Sequence, residues 1–411
     1  MPRRLRLPVS IVAALVVAEA AVVLMRPRDG VVPVDAAPQT YFSTAFIERA
    51  EDFRSGQLWL YGARVAIEIG LLVYVVRRPP ARLKERFRRP AAAGAVTAAA
   101  LAVTVTVLTL PVSAISRERA KDVGLVTQSW TGWLGDVAKG IAIEIVIVGA
   151  GGALLVFLMR RFGRRWWAPA AALAVAFGVL MNYAGPIVLD PLFNKFKPLP
   201  AGELRSDVIE MAEEAGVKVG EVYEMDASRR TTAANAYVAG LGSTKRVVLY
   251  DTLLRDFTPE EVRLVVAHEL GHVHHRDVPR GLLYLALVAP VGMFAVSRLA
   301  ERWAPEGGPA AVPAVGLALA LMVPAITIVS NQLSRAVEAR ADRYSIELTG
   351  EPDQLINFQK RITVQNVSDP EPPGWTSFLL GTHPTAMQRI GQALALRADP
   401  AARAEEPRGG S

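Results

Sequence analysis

Seven stretches of this chain are each apolar for about as long as a helix needs to cross the hydrocarbon core of a bilayer, roughly 20 residues. They run over residues 8–25, 58–76, 91–112, 141–159, 167–188, 281–299 and 310–329. Nothing else in the sequence narrows the fold as much. Inside lipid, every backbone N–H and C=O has to be satisfied within the segment itself, so stretches of this kind form helices. The fold class that follows is a multi-pass α-helical membrane protein with seven transmembrane helices. Composition agrees: 51% of the 411 residues are hydrophobic and only 21% are charged, which is not the balance of an ordinary soluble enzyme. The first apolar run follows a basic start, as in a secretory signal. However, "RPRD" comes after it and no small-residue cleavage site does, so it reads as a retained span.

The formal net charge is +7. Its basic residues gather in "PRRLR", "RRPPARLKERFRRP" and "RRFGRR", short links beside apolar runs. That placement is a topology signal and argues against nucleic acid as a partner. With alternating spans the three links share one side. The N-terminus is then cytoplasmic, and the polar stretch after the fifth span lies outside a cell membrane. Arg64 and Glu68, one turn apart in the second span, and Glu144 in the fourth are ionisable groups at membrane depth. They read as a mutually paired set that holds helices together or as the lining of a wet cavity, and the two readings are compatible.

The polar stretch 190–280 has mixed α and β character. "LRSDVIEMAEEAG" has helical spacing and stops at Gly216; "EVYEMDAS" and "KRVVLYDT" read as strands. The helix in "FTPEEVRLVVAHELGHVHH" is well marked at its start. Thr258 is a good cap, Pro259 suits the first helical position, and Glu261 completes a capping box. That helix carries four of the chain's five histidines. His268 and His272 are four apart, so they lie about 40° apart around the axis and one turn along it. Both imidazoles can reach one ion. Glu269 is rotated about 100° from His268. That offset suits a carboxylate that takes a proton from a water rather than one that grips the ion. His275 shares the stripe of His268 but lies about 10 Å further along; it and His274 read as solvated residues at a helix end.

The chain has no cysteine, so disulfides and thiolate ligands are excluded and any metal is held by His, Glu or Asp. A catalytic zinc keeps three protein ligands and an open position. A third histidine six residues past His272 is excluded, because that position is Val278. The remaining source is a carboxylate from a later helix. "SRAVEARADRYS" offers Glu338 as third ligand and Asp342, one turn on, as the acceptor for the free N–H of a ligating histidine. The plainer alternative is a solvated helix in which these acids pair with Arg335, Arg340 and Arg343. One zinc per chain, held by His268, His272 and Glu338, is the expectation.

With these residues in place the sequence resembles the type I CAAX prenyl proteases, membrane-embedded zinc metalloproteases of the gluzincin class. The likeness covers nearly the whole chain and rests on "DPLFNKFKPL", "NAYVAGLGSTKRVVLYDTLL", "HELGH", "SRAVEARAD" and "THPTAMQRI", in order. The resemblance implies seven helices around a water-filled chamber with an α+β gluzincin-type zinc protease domain facing inward. The hydropathy pattern divides the chain into five helices over 1–189, a catalytic part over 190–280, helices six and seven over 281–330, a second catalytic part over 331–399 and a disordered tail over 400–411. The resemblance implies peptide-bond hydrolysis with Glu269 as general base and His383 stabilising the developing oxyanion, with Arg389 in support. It also implies that Asn235, Ala236 and Tyr237 belong to an exposed strand edge that pairs with the substrate backbone; from the residues alone, the same stretch could be a turn closing a hairpin. The expected partners are membrane lipid and a peptide or protein substrate, lipidated or not; the oligomeric state is left open. Two rivals compete: an HtpX-like membrane quality-control protease, with fewer spans, and a non-catalytic channel or receptor with a structural zinc.

Overall fold

The computed structural model describes residues 6–28, 30–80, 88–240 and 245–399. The expected tail over 400–411 and the basic residues 2–5 lie outside that set. Among the described residues seven helices are long and apolar enough to cross a membrane. The first five are α1 (Arg6–Met25), α2 (Thr44–Arg77), α3 (Pro90–Asp122), α4 (Trp130–Phe162) and α5 (Trp167–Ala184). A π-helical turn, Gly185–Leu189, carries α5 into the short α6 (Asp190–Phe193). The polar region then gives β1 (Phe196–Pro198), α7 (Glu203–Glu214), β2 (Glu221–Met225), β3 (Ala236–Ala239), β4 (Arg246–Tyr250), α8 (Asp251–Asp256) and α9 (Pro259–His274). The remaining spans are α10 (Asp277–Trp303) and α11 (Ala311–Thr349), followed by α12 (Pro352–Gln365), α13 (Gly374–Leu380) and α14 (Ala386–Ala398).

Several spans outrun their apolar runs. Apolar length marks only the part of a helix that lipid surrounds, whereas the helix continues until Pro, Gly or a cap stops it. The 34 residues of α2 begin at Ser43, which caps Phe46 N–H, well ahead of the apolar run at 58. The 39 residues of α11 end at Gly350, which takes the left-handed conformation with φ 74°. The polar half of α11 thus projects from the bundle into the polar domain, on the same rigid rod as its apolar half.

The sheet order is β1-β2-β4-β3, with β2 and β4 parallel and both outer pairs antiparallel. Beneath it lies a core built from the apolar faces of α7, α8, α9, α12 and α14, with Leu253, Leu270, Leu355 and Ile390 sealed from solvent. The loop between the first two spans joins this core through Val31, Tyr41 and Phe42, and the first turn of α2 through Phe46. Its backbone comes so close that Val34 N–H donates to Gly391 O at 3.0 Å, and a Cβ on Gly391 would stand 2.3 Å from Val34 O. Of the charges at membrane depth, Glu144 accepts from Thr106 Oγ1 at 2.9 Å. Among the described residues no ion pair joins Arg64 to Glu68.

Candidate metal centre

Helix α9 begins with the full capping box between Thr258 and Glu261. It buries Val262, Val266, Ala267 and Leu270 in the core, which turns His268, Glu269 and His272 toward the open side. Gly271 faces α11: a Cβ there would lie 3.0 Å from the Tyr344 ring. The missing side chain lets the two helices close up and brings Glu338 to the histidine pair.

His268, His272 and Glu338 offer ligand atoms that all lie within 4.8 Å of one another. The two Nε2 atoms are 3.2 Å apart. Glu338 Oε2 is 3.3 Å from His268 Nε2, and Glu338 Oε1 is 3.6 Å from His272 Nε2. Ligands about 2.05 Å from a tetrahedral zinc stand roughly 3.3 Å from one another, so the spacing fits. Glu338 Oε2 is buried, 3.3 Å from the Nε2 atoms of His268 and His383 but without a well-aligned hydrogen bond, a position that a bound cation would satisfy. The donor set, two imidazoles and one carboxylate, also suits zinc.

Each histidine of the pair is backed by a carboxylate, and each carboxylate is held by an arginine. His268 Nδ1 lies 2.9 Å from Asp342 Oδ1, and Asp342 is fully buried. Arg389 grips Asp342 through both oxygens, with Nε to Oδ2 at 2.7 Å. Arg389 therefore serves Asp342 rather than His383, which corrects the expected role. On the other side, His272 Nδ1 lies 3.0 Å from Asp277 Oδ2, and Arg340 Nη2 donates to Asp277 Oδ1. Asp277 escaped the sequence reading. Its signal was available, as the first carboxylate after the histidine motif, just past Arg276, whose left-handed φ of 55° turns the chain from α9 into α10.

Electrostatics follow from burial and these carboxylates. Burial alone would lower His268, but Asp342 and Glu338 outweigh it and the imidazole is pushed up to about 10. Burial raises the Glu269 carboxyl and lowers the His383 imidazole. His383 arrives from the segment between α13 and α14, and its Nε2 is 3.3 Å from Glu338 Oε2. His274 and His275 are not in the cluster. His274 stacks on Tyr344, with ring centroids 4.7 Å apart.

A cavity of about 950 Å3 opens beside this cluster, lined by Glu269, His272 and Glu338 on one wall and Tyr237 and Val238 on the other. A smaller pocket of about 110 Å3 continues past Asn235, His268, Glu269 and His383. The stretch "NAYVAG" supplies the edge strand β3 rather than a turn. Tyr250 N–H donates to Asn235 O. By antiparallel alternation Asn235, Tyr237 and Ala239 therefore turn their backbone groups toward β4, while Ala236 and Val238 turn theirs to the open edge. Ala236 N–H is already met by Asn235 Oδ1 at 2.9 Å, and the Tyr237 hydroxyl donates to Asp190 Oδ2 at 2.8 Å. Val238, absent from the expected set, is thus one of the two residues facing the edge.

Comparison with known proteins agrees with the architecture. The family model described as peptidase family M48 matches residues 198–397. A second, described as the CAAX prenyl protease N-terminal, five membrane helices, matches residues 82–195. A helical bundle of this kind, carrying a peptidase unit whose matched region spans its last two spans, is a membrane-embedded metalloprotease. The chain is 33% identical over 303 residues to the uncharacterized metalloprotease YhfN of Bacillus subtilis, covering 71% of each chain. It is 29% identical over 265 residues to the CAAX prenyl protease 1 homolog of Oryza sativa subsp. japonica, covering 62% of each, so it spans less than two thirds of that relative. The crystal structure of S. mikatae Ste24p superposes with a TM-score of 0.75 over 96% of this chain and 99% of that one, at 18% identity, which shows a shared fold. The chain belongs to peptidase family M48, the family of the type I CAAX prenyl proteases.

Proposed function

We propose that this protein is a zinc-dependent endopeptidase of membrane-associated or lipidated peptides, with the ion held by His268, His272 and Glu338. The observation that carries the reading is the 3.2 to 3.6 Å spacing among the two imidazole Nε2 atoms of His268 and His272 and the carboxylate oxygens of Glu338. When bound, zinc supplies Lewis acidity toward the scissile carbonyl and the attacking water. The chain's own residues do the rest. An extended peptide lies along β3, and the open-edge backbone groups of Ala236 and Val238 hold its main chain with little demand on sequence. Glu269 has a carboxyl raised by burial, a poise suited to taking a proton from the attacking water and handing it to the leaving amine. His383 donates to the oxyanion as it forms. Asp342 and Asp277 keep the Nδ1 proton on each ligand histidine, leaving Nε2 bare.

The catalytic unit is taken to be 190–280 with 331–399, joined through helices six and seven at 281–330 and supported by the five N-terminal helices over 1–189. The basic links near α2, α3, α4 and α5 support a cytoplasmic N-terminus and an extracytoplasmic catalytic unit in the cell membrane. The cysteine-free sequence makes this directly testable by labelling single introduced cysteines from outside. For the activity, membrane peptide fragments are compared between cells carrying the native or the Glu269→Gln protein. Fragments that vanish with Glu269→Gln identify the clients. Identical fragment profiles would remove the protease reading.

A further inference from the structure

The segment that carries His383 has little to hold it. The His383 side chain is 58% exposed, and among the described residues its Nδ1 meets only the neighbouring Thr382 hydroxyl, at 2.9 Å. Downstream, Thr385 and Gln388 form the capping box of α14. Upstream, α13 is a helix of seven residues and its last carbonyls need donors. Gly381 N–H reaches back to Ser377 O at 3.0 Å, and the side-chain donors come from one helix, α11. Asn331 Nδ2 donates to Leu379 O at 3.0 Å. Arg335 Nη1 donates to Ser377 O at 3.0 Å and to Gly381 O at 2.7 Å. Asn331 is 3% exposed.

Asn331, Arg335, Glu338 and Asp342 follow one another at spacings of four, three and four, a single stripe along α11. The helix that presents Glu338 to the histidine pair therefore also anchors the end of the segment that presents His383 to Glu338. We propose that Arg335, assisted by Asn331, is a positioning residue for the reaction: it clamps the C-terminus of α13 and so sets the place of the His383 imidazole. This rests on the proposed zinc endopeptidase reading and on the oxyanion role of His383. Arg335 touches neither ion nor substrate; it acts through His383. The physical ground is the sensitivity of an oxyanion contact to displacement. A shift of about 1 Å costs on the order of 100-fold, and loss of the donor costs about 100- to 1,000-fold.

The test uses full-length, detergent-solubilised, zinc-loaded protein. A phosphinic pseudotripeptide, whose tetrahedral oxyanion imitates the one formed on a substrate, is titrated by calorimetry, and zinc stoichiometry is measured alongside. His383→Ala is expected to weaken binding by about 100-fold or more and Arg335→Ala by up to about 100-fold, with zinc retained at the native level. The double variant is expected to bind no more weakly than His383→Ala alone, because the clamp has nothing left to place. Arg335→Lys, which keeps a donor near both carbonyls, is expected to fall between Arg335→Ala and native. Native affinity in Arg335→Ala beside a weakened His383→Ala overturns the clamp and leaves the protease reading standing. So does a double variant in which the two losses multiply, or an Arg335→Ala protein that sheds its zinc. No weakening in His383→Ala overturns the clamp together with the oxyanion role.

Discussion

Asp277 is the most informative residue to change, because both of its neighbours donate to it. His272 Nδ1 stands 3.0 Å from one carboxylate oxygen and Arg340 donates to the other. The Asp277 and Arg340 side chains are each only 9% exposed, so water cannot readily replace a lost partner. Asp277→Asn keeps the shape and removes one acceptor. Whichever way the amide turns, its NH2 meets a donor. If it faces His272, the ring is driven to the tautomer with its proton on Nε2, the atom that would bind the ion. If it faces Arg340, a buried guanidinium contact is lost and the charge that supports the ring is gone in either case. Outer carboxylates of this kind are worth about 10- to 100-fold in metal affinity, which is about 1.4 to 2.8 kcal/mol. Competition with a fluorescent chelator at fixed pH measures it. A variant that holds zinc within about twofold of native, while His272→Ala loses it, would refute the reasoning.

Three further outcomes follow from the same geometry. Glu338→Gln removes the anionic ligand itself, so zinc per chain measured by plasma mass spectrometry should fall further than in Asp277→Asn, by more than about 100-fold in affinity. Because His268 stands at about 10 without metal, it is protonated at neutral pH and has to release that proton when the ion binds. Calorimetry in two buffers of different ionisation enthalpy should show close to one proton released, with apparent affinity rising about tenfold per pH unit until pH passes the His268 value. Gly391→Ala would place a Cβ 2.3 Å from Val34 O, so the loop joining the first two spans has to lift; a loss of about 1–3 kcal/mol, read as a lower Tm, is expected.

How much of this was legible beforehand depends on the range of the interaction. The seven spans were readable because lipid imposes a local demand on each segment. Helix α9, its Thr258 cap and the i,i+4 pair of His268 and His272 were readable because helical geometry fixes neighbours within two turns. Glu338 and Asp342 could be named only by elimination among residues some 70 positions away. The sequence by itself therefore determined the membrane architecture and the residue types able to hold an ion. Only the tertiary structure decided that Gly271 lets α11 close on α9, that Arg389 serves Asp342 while Asp277 serves His272, that Ala236 and Val238 face the open edge, and that the polar end of α11 anchors the His383 segment. Those choices rest on the shapes of packed surfaces far apart in the chain, which no local periodicity records.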